Sequence, residues 1–187
     1  MPYHFDLDGI THDLFMLQSL IHGSRSFCKK HQIRYYSEDD DRGEFDHEYY
    51  FFNLKSVVSK ISIEASIKLR MAQDALNVYA VENDVDVDLL YSEPAKDLVL
   101  GQVLEGSFSL TLRESLNKII HATETQLCWN DGSDYKWWNG SILLSGARGS
   151  SDWKLELDLE QLCIAIHRYI ELSDSVVDWA HVYKYDA

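Results

Sequence analysis

Trp153-Lys154-Leu155-Glu156-Leu157-Asp158 alternates apolar and charged side chains with a period of two, the mark of a strand buried on one face. Everything upstream that carries a period reads as helix, so this stretch is where the fold stops being a plain bundle. Ser141 to Ala147 precedes it across Arg148-Gly149-Ser150-Ser151-Asp152, a hairpin-like turn. Immediately after it, Asp158 and Gln161 stand in a capping pattern that opens a last helix through about Leu172, with Leu159, Leu162, Ile166 and Ile170 inward. An aromatic tail follows, without helical period.

Working back toward the N-terminus, Thr111-Leu112-Arg113-Glu114 is a T-x-x-E capping box that starts a helix at about Leu112 and runs it to about Thr123. Leu112, Leu116, Ile119 and Ile120 form its core stripe. Arg113, Asn117 and His121 drift by about 40° per step along the edge of that stripe, a polar line where chemistry is possible. Between Val81 and Gly106 the pattern breaks into a loop or short irregular segment around Pro94. Its aspartates 84, 86 and 88 alternate as at the start of a calcium loop, but Leu89 stands where glycine is needed and Ala95 where the closing glutamate is needed. The longest helix spans about Phe45 to Tyr79, with Leu54, Val58, Ile61, Ala65, Leu69, Ala72 and Leu76 at steps of three or four, as in the central helix of a bundle. A first helix from about Thr11 to His31 carries Leu14, Leu17, Ile21 and Cys28 on one stripe and ends in basic residues that suit its dipole. The acidic stretch Ser37 to Gly43 between them reads as a solvated loop. The expected fold is mainly α: a bundle of four to five helices with one β-hairpin inserted before the last, in one domain over residues 1–187.

Composition narrows the function. Thirty-one acidic against 17 basic side chains leave a formal charge of -14, which repels phosphate backbones and anionic lipid and speaks against DNA or membrane-surface binding. No segment approaches the ~20 apolar residues of a membrane span, and the N-terminus lacks a basic leader before an apolar run. Cys28, Cys128 and Cys163 lie far apart, with no CxxC pair, so neither a metal knuckle nor a disulfide framework is written here. The chain reads as cytoplasmic, with no cofactor and no metal. His167 and His181 have no spaced carboxylates or cysteines around them.

The helix ending in His121 resembles the motif helix of the HEPN superfamily (higher eukaryotes and prokaryotes nucleotide-binding), helical domains whose active members are metal-independent endoribonucleases of bacterial defence and toxin systems. That motif is an arginine, commonly followed by asparagine or another polar residue, then a histidine with four to six residues lying between it and the arginine. Asn117-Lys118-Ile119-Ile120-His121 matches its second half; Glu114, Ser115 and Leu116 occupy the arginine places, and Arg113 has seven residues between it and His121. The second helix also carries Glu64-Ala65-Ser66-Ile67-Lys68-Leu69-Arg70, similar to the core helix of some such domains, and the resemblance spans about residues 45–172. It implies a homodimer with histidines facing across a cleft, histidine acting as acid or base on a ribose hydroxyl and arginine steadying the phosphate.

Two readings follow. With the arginine displaced, the chain is an accessory or catalytically inactive HEPN-like protein that works by associating with a protein partner or with itself, in a bacterial defence or toxin-antitoxin system. The alternative is a metal-independent endoribonuclease with His121 as acid or base, Asn117 orienting, and Arg113 or Arg70 on the phosphate of an RNA. On the residues alone, His121 equally suits a helix end, and Arg113, Arg70 and Glu64 equally suit ion pairs with other helices. Trp129, Trp137, Trp138 and Trp153, with Tyr135, suit packing of the hairpin against the bundle or a partner better than a nucleic-acid stacking platform, because Asp131, Asp134 and Asp152 oppose Lys136 and Arg148. A third reading makes the acidic runs Glu38 to Asp41 and Glu82 to Asp88 a nucleic-acid mimic.

Overall fold

The computed structural model describes residues 6–34, 47–83, 85–132, 134–149 and 151–185. Among them are six α-helices and a four-stranded antiparallel sheet, an α+β fold that replaces the expected all-helical bundle with its single hairpin. The elements run α1 (Leu7–His31), α2 (His47–Asn83), α3 (Val87–Ser92), β1 (Gly101–Glu105), α4 (Leu112–His121), β2 (Glu124–Asp131), β3 (Lys136–Arg148), β4 (Ser151–Asp158), α5 (Leu159–Val176) and α6 (Trp179–Tyr185).

The hairpin is present as β3 and β4, with Leu144 opposite Leu155 and Ile142 opposite Leu157. What the sequence reading lacked are its flanking partners, which give the sheet order β1-β4-β3-β2. Strand β1 lies in the segment read as a loop, and its five residues, mostly exposed, carry too short a pattern to signal a strand. Strand β2 begins where α4 was expected to continue: Ala122 is already extended and the Thr123 N–H donates to the Ser145 carbonyl at 2.9 Å. Its Thr125, Leu127 and Trp129 do alternate, but exposed Glu124, Gln126 and Asp131 make the pattern that of an edge strand. The segment after Tyr79 also folds: Asp86 caps α3 by accepting from the Leu89 N–H at 2.9 Å, and the tail after Leu172 continues α5 and then forms α6.

One face of the sheet is the core. Trp138, Ile142 and Leu144 of β3 and Trp153, Leu155 and Leu157 of β4 are buried, and α1 and α5 lie across them. The expected stripes of α1, α4 and α5 are buried apart from half-buried Ile120, and that of α2 apart from half-buried Ile61. Helix α1 crosses β3 at Gly140, where φ is +92° and a Cβ would come within 2.9 Å of Ile21. Beside that crossing the buried Ser24 hydroxyl accepts from the Trp138 N–H at 3.0 Å. Trp138 and Trp153 are thus core residues, while Trp129 meets Phe51 edge-on and Trp137 lies under Arg25. The stretches Ser37 to Gly43 and Glu38 to Asp41 fall outside the described residues.

Candidate functional site

Helix α4 positions the residues singled out by the sequence. Thr111 caps it, its hydroxyl accepting from the Glu114 N–H at 3.1 Å, and buried Leu112, Leu116 and Ile119 seat it against the core. The Glu114 carboxylate does not return to the cap. It turns instead to Lys118 at 3.5 Å and Asn117 at 3.4 Å. The polar line therefore divides into two regions, one against α2 and one against the β3–β4 hairpin.

Against α2, Arg113 and Arg70 converge on one carboxylate. Asp74 receives Arg113 at 2.7 Å and Arg70 at 3.3 Å, and the Oε1 of wholly buried Gln73 accepts from both guanidinium groups, at 3.3 and 3.1 Å. The Arg70 Nε–H then donates to Asn117 Oδ1 at 2.8 Å, which fixes the orientation of that amide. Below, the Arg113 guanidinium lies 5.6 Å from the Tyr91 ring centre, and the Tyr91 hydroxyl sits 2.7 Å from Asn77 Oδ1. Burial, and next the neighbouring Arg113, push Arg70 down from its ordinary value, and burial pushes the Tyr91 phenol up. Arg113 pairs with a carboxylate of another helix, as the sequence allows. Arg70 and Glu64 do not: Arg70 pairs with Asp74 one turn along α2, and Glu64 with Lys60 one turn back at 4.0 Å.

Against the hairpin, Glu114, Asn117, Lys118 and His121 line a cleft of about 460 Å³ whose other wall is Ala147, Arg148 and Trp153. The close approach of α4 to β3 depends on Gly146, where a Cβ would stand 3.0 Å from the His121 carbonyl oxygen and 2.5 Å from the Trp153 ring. Lys118 is 7% exposed, and its ammonium lies between two aromatic rings, 4.0 Å from the centre of Phe108 and 4.2 Å from that of Trp153. Such cation–π contacts offset part of the desolvation of a lysine beside one carboxylate. His121 is exposed at the mouth, and its imidazole makes no hydrogen bond to any described residue.

The four residues expected to act together are thus only partly brought together. Asn117 and His121 share the cleft; Arg70 reaches it only through Asn117, and Arg113 faces Asp74 away from it. Arg148, Lys118, Glu114 and Trp153 complete the cleft without having been anticipated. For Glu114 and Lys118 a signal existed in their i,i+4 spacing. For Arg148 there was none, since only the folding of the hairpin over α4 brings it near His121. Elsewhere, contrary to the expectation that it has no spaced carboxylate, His167 pairs with Glu171 one turn along α5 at 3.3 Å, and His181 meets the Tyr79 ring edge-on.

No helix among the described residues is long and apolar enough to cross a membrane. No family model, curated protein or solved structure matches this chain.

Proposed function

We propose that this chain works in the cytosol through protein–protein association, as an accessory or catalytically silent HEPN-like protein of a bacterial defence or toxin-antitoxin system. The observation that carries this reading is the engagement of both arginines. Arg70 and Arg113 share Asp74 and Gln73, and neither lines the cleft that holds His121. A phosphodiester in that cleft would meet His121 without Arg70 or Arg113, the two arginines to which the resemblance gives the phosphate. The three widely separated cysteines, read as reduced thiols, support the cytosolic setting.

A second reading has its own observation. Arg148 lines the same cleft as His121 and Asn117, so an endoribonuclease would use His121 as acid or base on a ribose hydroxyl and Arg148 in place of Arg113 for the phosphate. The two readings separate in one experiment: a mixed labelled RNA pool incubated with the protein in excess chelator, beside His121→Ala. We expect intact RNA with both proteins. Cleavage that survives the chelator and vanishes in His121→Ala would overturn the association reading.

A further inference from the structure

The β3–β4 hairpin brings a cation to the end of α4. Residues two apart on a strand share a face, so Gly146 and Arg148 of β3 lie on one face, opposite Trp153 and Ser151 of β4. At Gly146 the missing side chain admits the end of α4, where a Cβ would stand 3.0 Å from the His121 carbonyl oxygen. Two residues on, the strand has passed that contact, and Arg148 lines the cleft with His121 and Asn117. Arg148 is exposed, and its guanidinium makes no ion pair or hydrogen bond to any described residue.

The other charges of the cleft are settled within its wall. Glu114 pairs with Lys118 at 3.5 Å, and the Phe108 and Trp153 rings, 4.0 and 4.2 Å away, enclose that ammonium. Asn117 and the His121 ring add hydrogen-bond donors without a permanent charge. One uncompensated positive charge therefore remains, in a chain of charge -14, with Glu114 and the carbonyl end of α4 opposing a second negative charge. That balance suits one isolated anion and not a polyanion, since a strand of RNA brings several phosphates within a Debye length of about 10 Å and the whole chain repels each of them. A planar guanidinium takes a carboxylate through two parallel hydrogen bonds. Ala147 and Trp153 supply apolar wall, and at about 460 Å³ the cleft has room for an apolar body behind the acid. We propose that the cleft is a binding site for a monocarboxylate, held by Arg148 with His121 and Asn117 as further donors. Its carboxylate comes from a small organic acid or from an acidic side chain of a polypeptide. The site goes beyond the association reading and does not rest on it.

Amide NMR spectra of the isotopically labelled full chain at pH 7.5, titrated with benzoate, test the proposal. We expect saturable shifts at Ala147, Arg148 and His121, with a dissociation constant on the order of 10 mM, as a ligand of that size reaches. Arg148→Gln alters an exposed side chain and is expected to raise that constant at least fivefold while the resonances of the core stay in place. Benzamide, the uncharged isostere, and a uridine trinucleotide are expected to leave the cleft residues unshifted at the same concentrations. The capped peptide acetyl-Ala-Glu-Ala-amide separates the two sources: binding tighter than that of benzoate assigns the carboxylate to a protein partner, weaker binding assigns it to a free acid, and either supports the site. Benzamide binding as tightly as benzoate overturns the proposal in favour of an apolar slot, and tighter binding of the trinucleotide overturns it in favour of the nuclease reading. Shifts absent from the cleft, or an unchanged affinity in Arg148→Gln, overturn it outright. Whether the chain leaves RNA intact is decided separately, by the incubation in chelator.

Discussion

The two regions on either side of Asn117 are built from one helix and differ in how their charges are satisfied. On the α2 side, two guanidinium groups meet one carboxylate and one buried amide, and every charged group has a partner within 3.5 Å. On the hairpin side, Lys118 is enclosed by rings and paired with Glu114, but His121 faces solvent. The first region ties α4 to α2, as a structural brace does; the second leaves polar groups available. The difference teaches that Arg70 and Arg113, the arginines expected to serve the histidine, hold the helix in place, while the guanidinium that shares the cleft with His121 is that of Arg148, brought in by the hairpin.

The comparison can be broken at several strengths. Leu116, wholly buried beneath both regions, anchors α4 to the core, so Leu116→Ala is expected to cost about 2–5 kcal/mol in chemical denaturation and to disturb both. Asp74→Ala removes the carboxylate between two cations; with Asp74 about half exposed and solvent screening the repulsion, the expected loss is about 1 kcal/mol. A loss equal to that of Leu116→Ala would mean that the brace, not the apolar stripe, seats the helix.

Alkaline pH probes the core and, through the half-buried Tyr91 phenol, the α2 side as well. Burial pushes the Cys163 thiol up to about 12 and the Cys128 thiol up to about 11, so the folded chain holds protons that the unfolded chain releases near pH 9. Stability from these thiols is complete below about pH 9 and is lost as pH rises toward 11 and 12, with no loss expected between pH 6 and 8. Denaturation midpoints measured from pH 7 to 11 check the sign. His121→Ala is the smallest effect, within about 0.5 kcal/mol, because the exposed imidazole makes no hydrogen bond to a described residue. A larger loss would make His121 part of the brace.

How much was legible follows from how local each signal is. The core stripes of α1, α2, α4 and α5 were read correctly because amphipathic period and caps such as Thr111 and Asp158 act within a few residues. Strands β1 and β2 were missed because an edge strand buries one side of a short segment, and its partners lie across the fold or across a turn, 49 to 56 residues away for β1 and 5 to 21 for β2. The polar line Arg113-Asn117-His121 was visible, but its division was not. Which way Arg113 points depends on Asp74, 39 residues earlier, and what faces His121 depends on the hairpin turn at Arg148.

By itself, then, the sequence determined helices α1, α2, α4 and α5, most of their buried faces, the β3–β4 hairpin, the negative charge and the residues of the α4 edge, because these depend on composition and on neighbours within a turn or two. Tertiary structure alone decided that the hairpin becomes the centre of a four-stranded sheet, that both arginines share Asp74, and that Arg148 and Trp153 close a cleft over His121. The outer face of α2 belongs to both levels: its spacing is in the sequence, but only the packing of α1, α4 and the sheet leaves Ile63, Ile67 and Met71 exposed to solvent. The physical reason is range. Period and capping are settled by covalent neighbours, whereas partners across the fold are chosen by packing, where burial and charge compensation are settled for the whole chain at once.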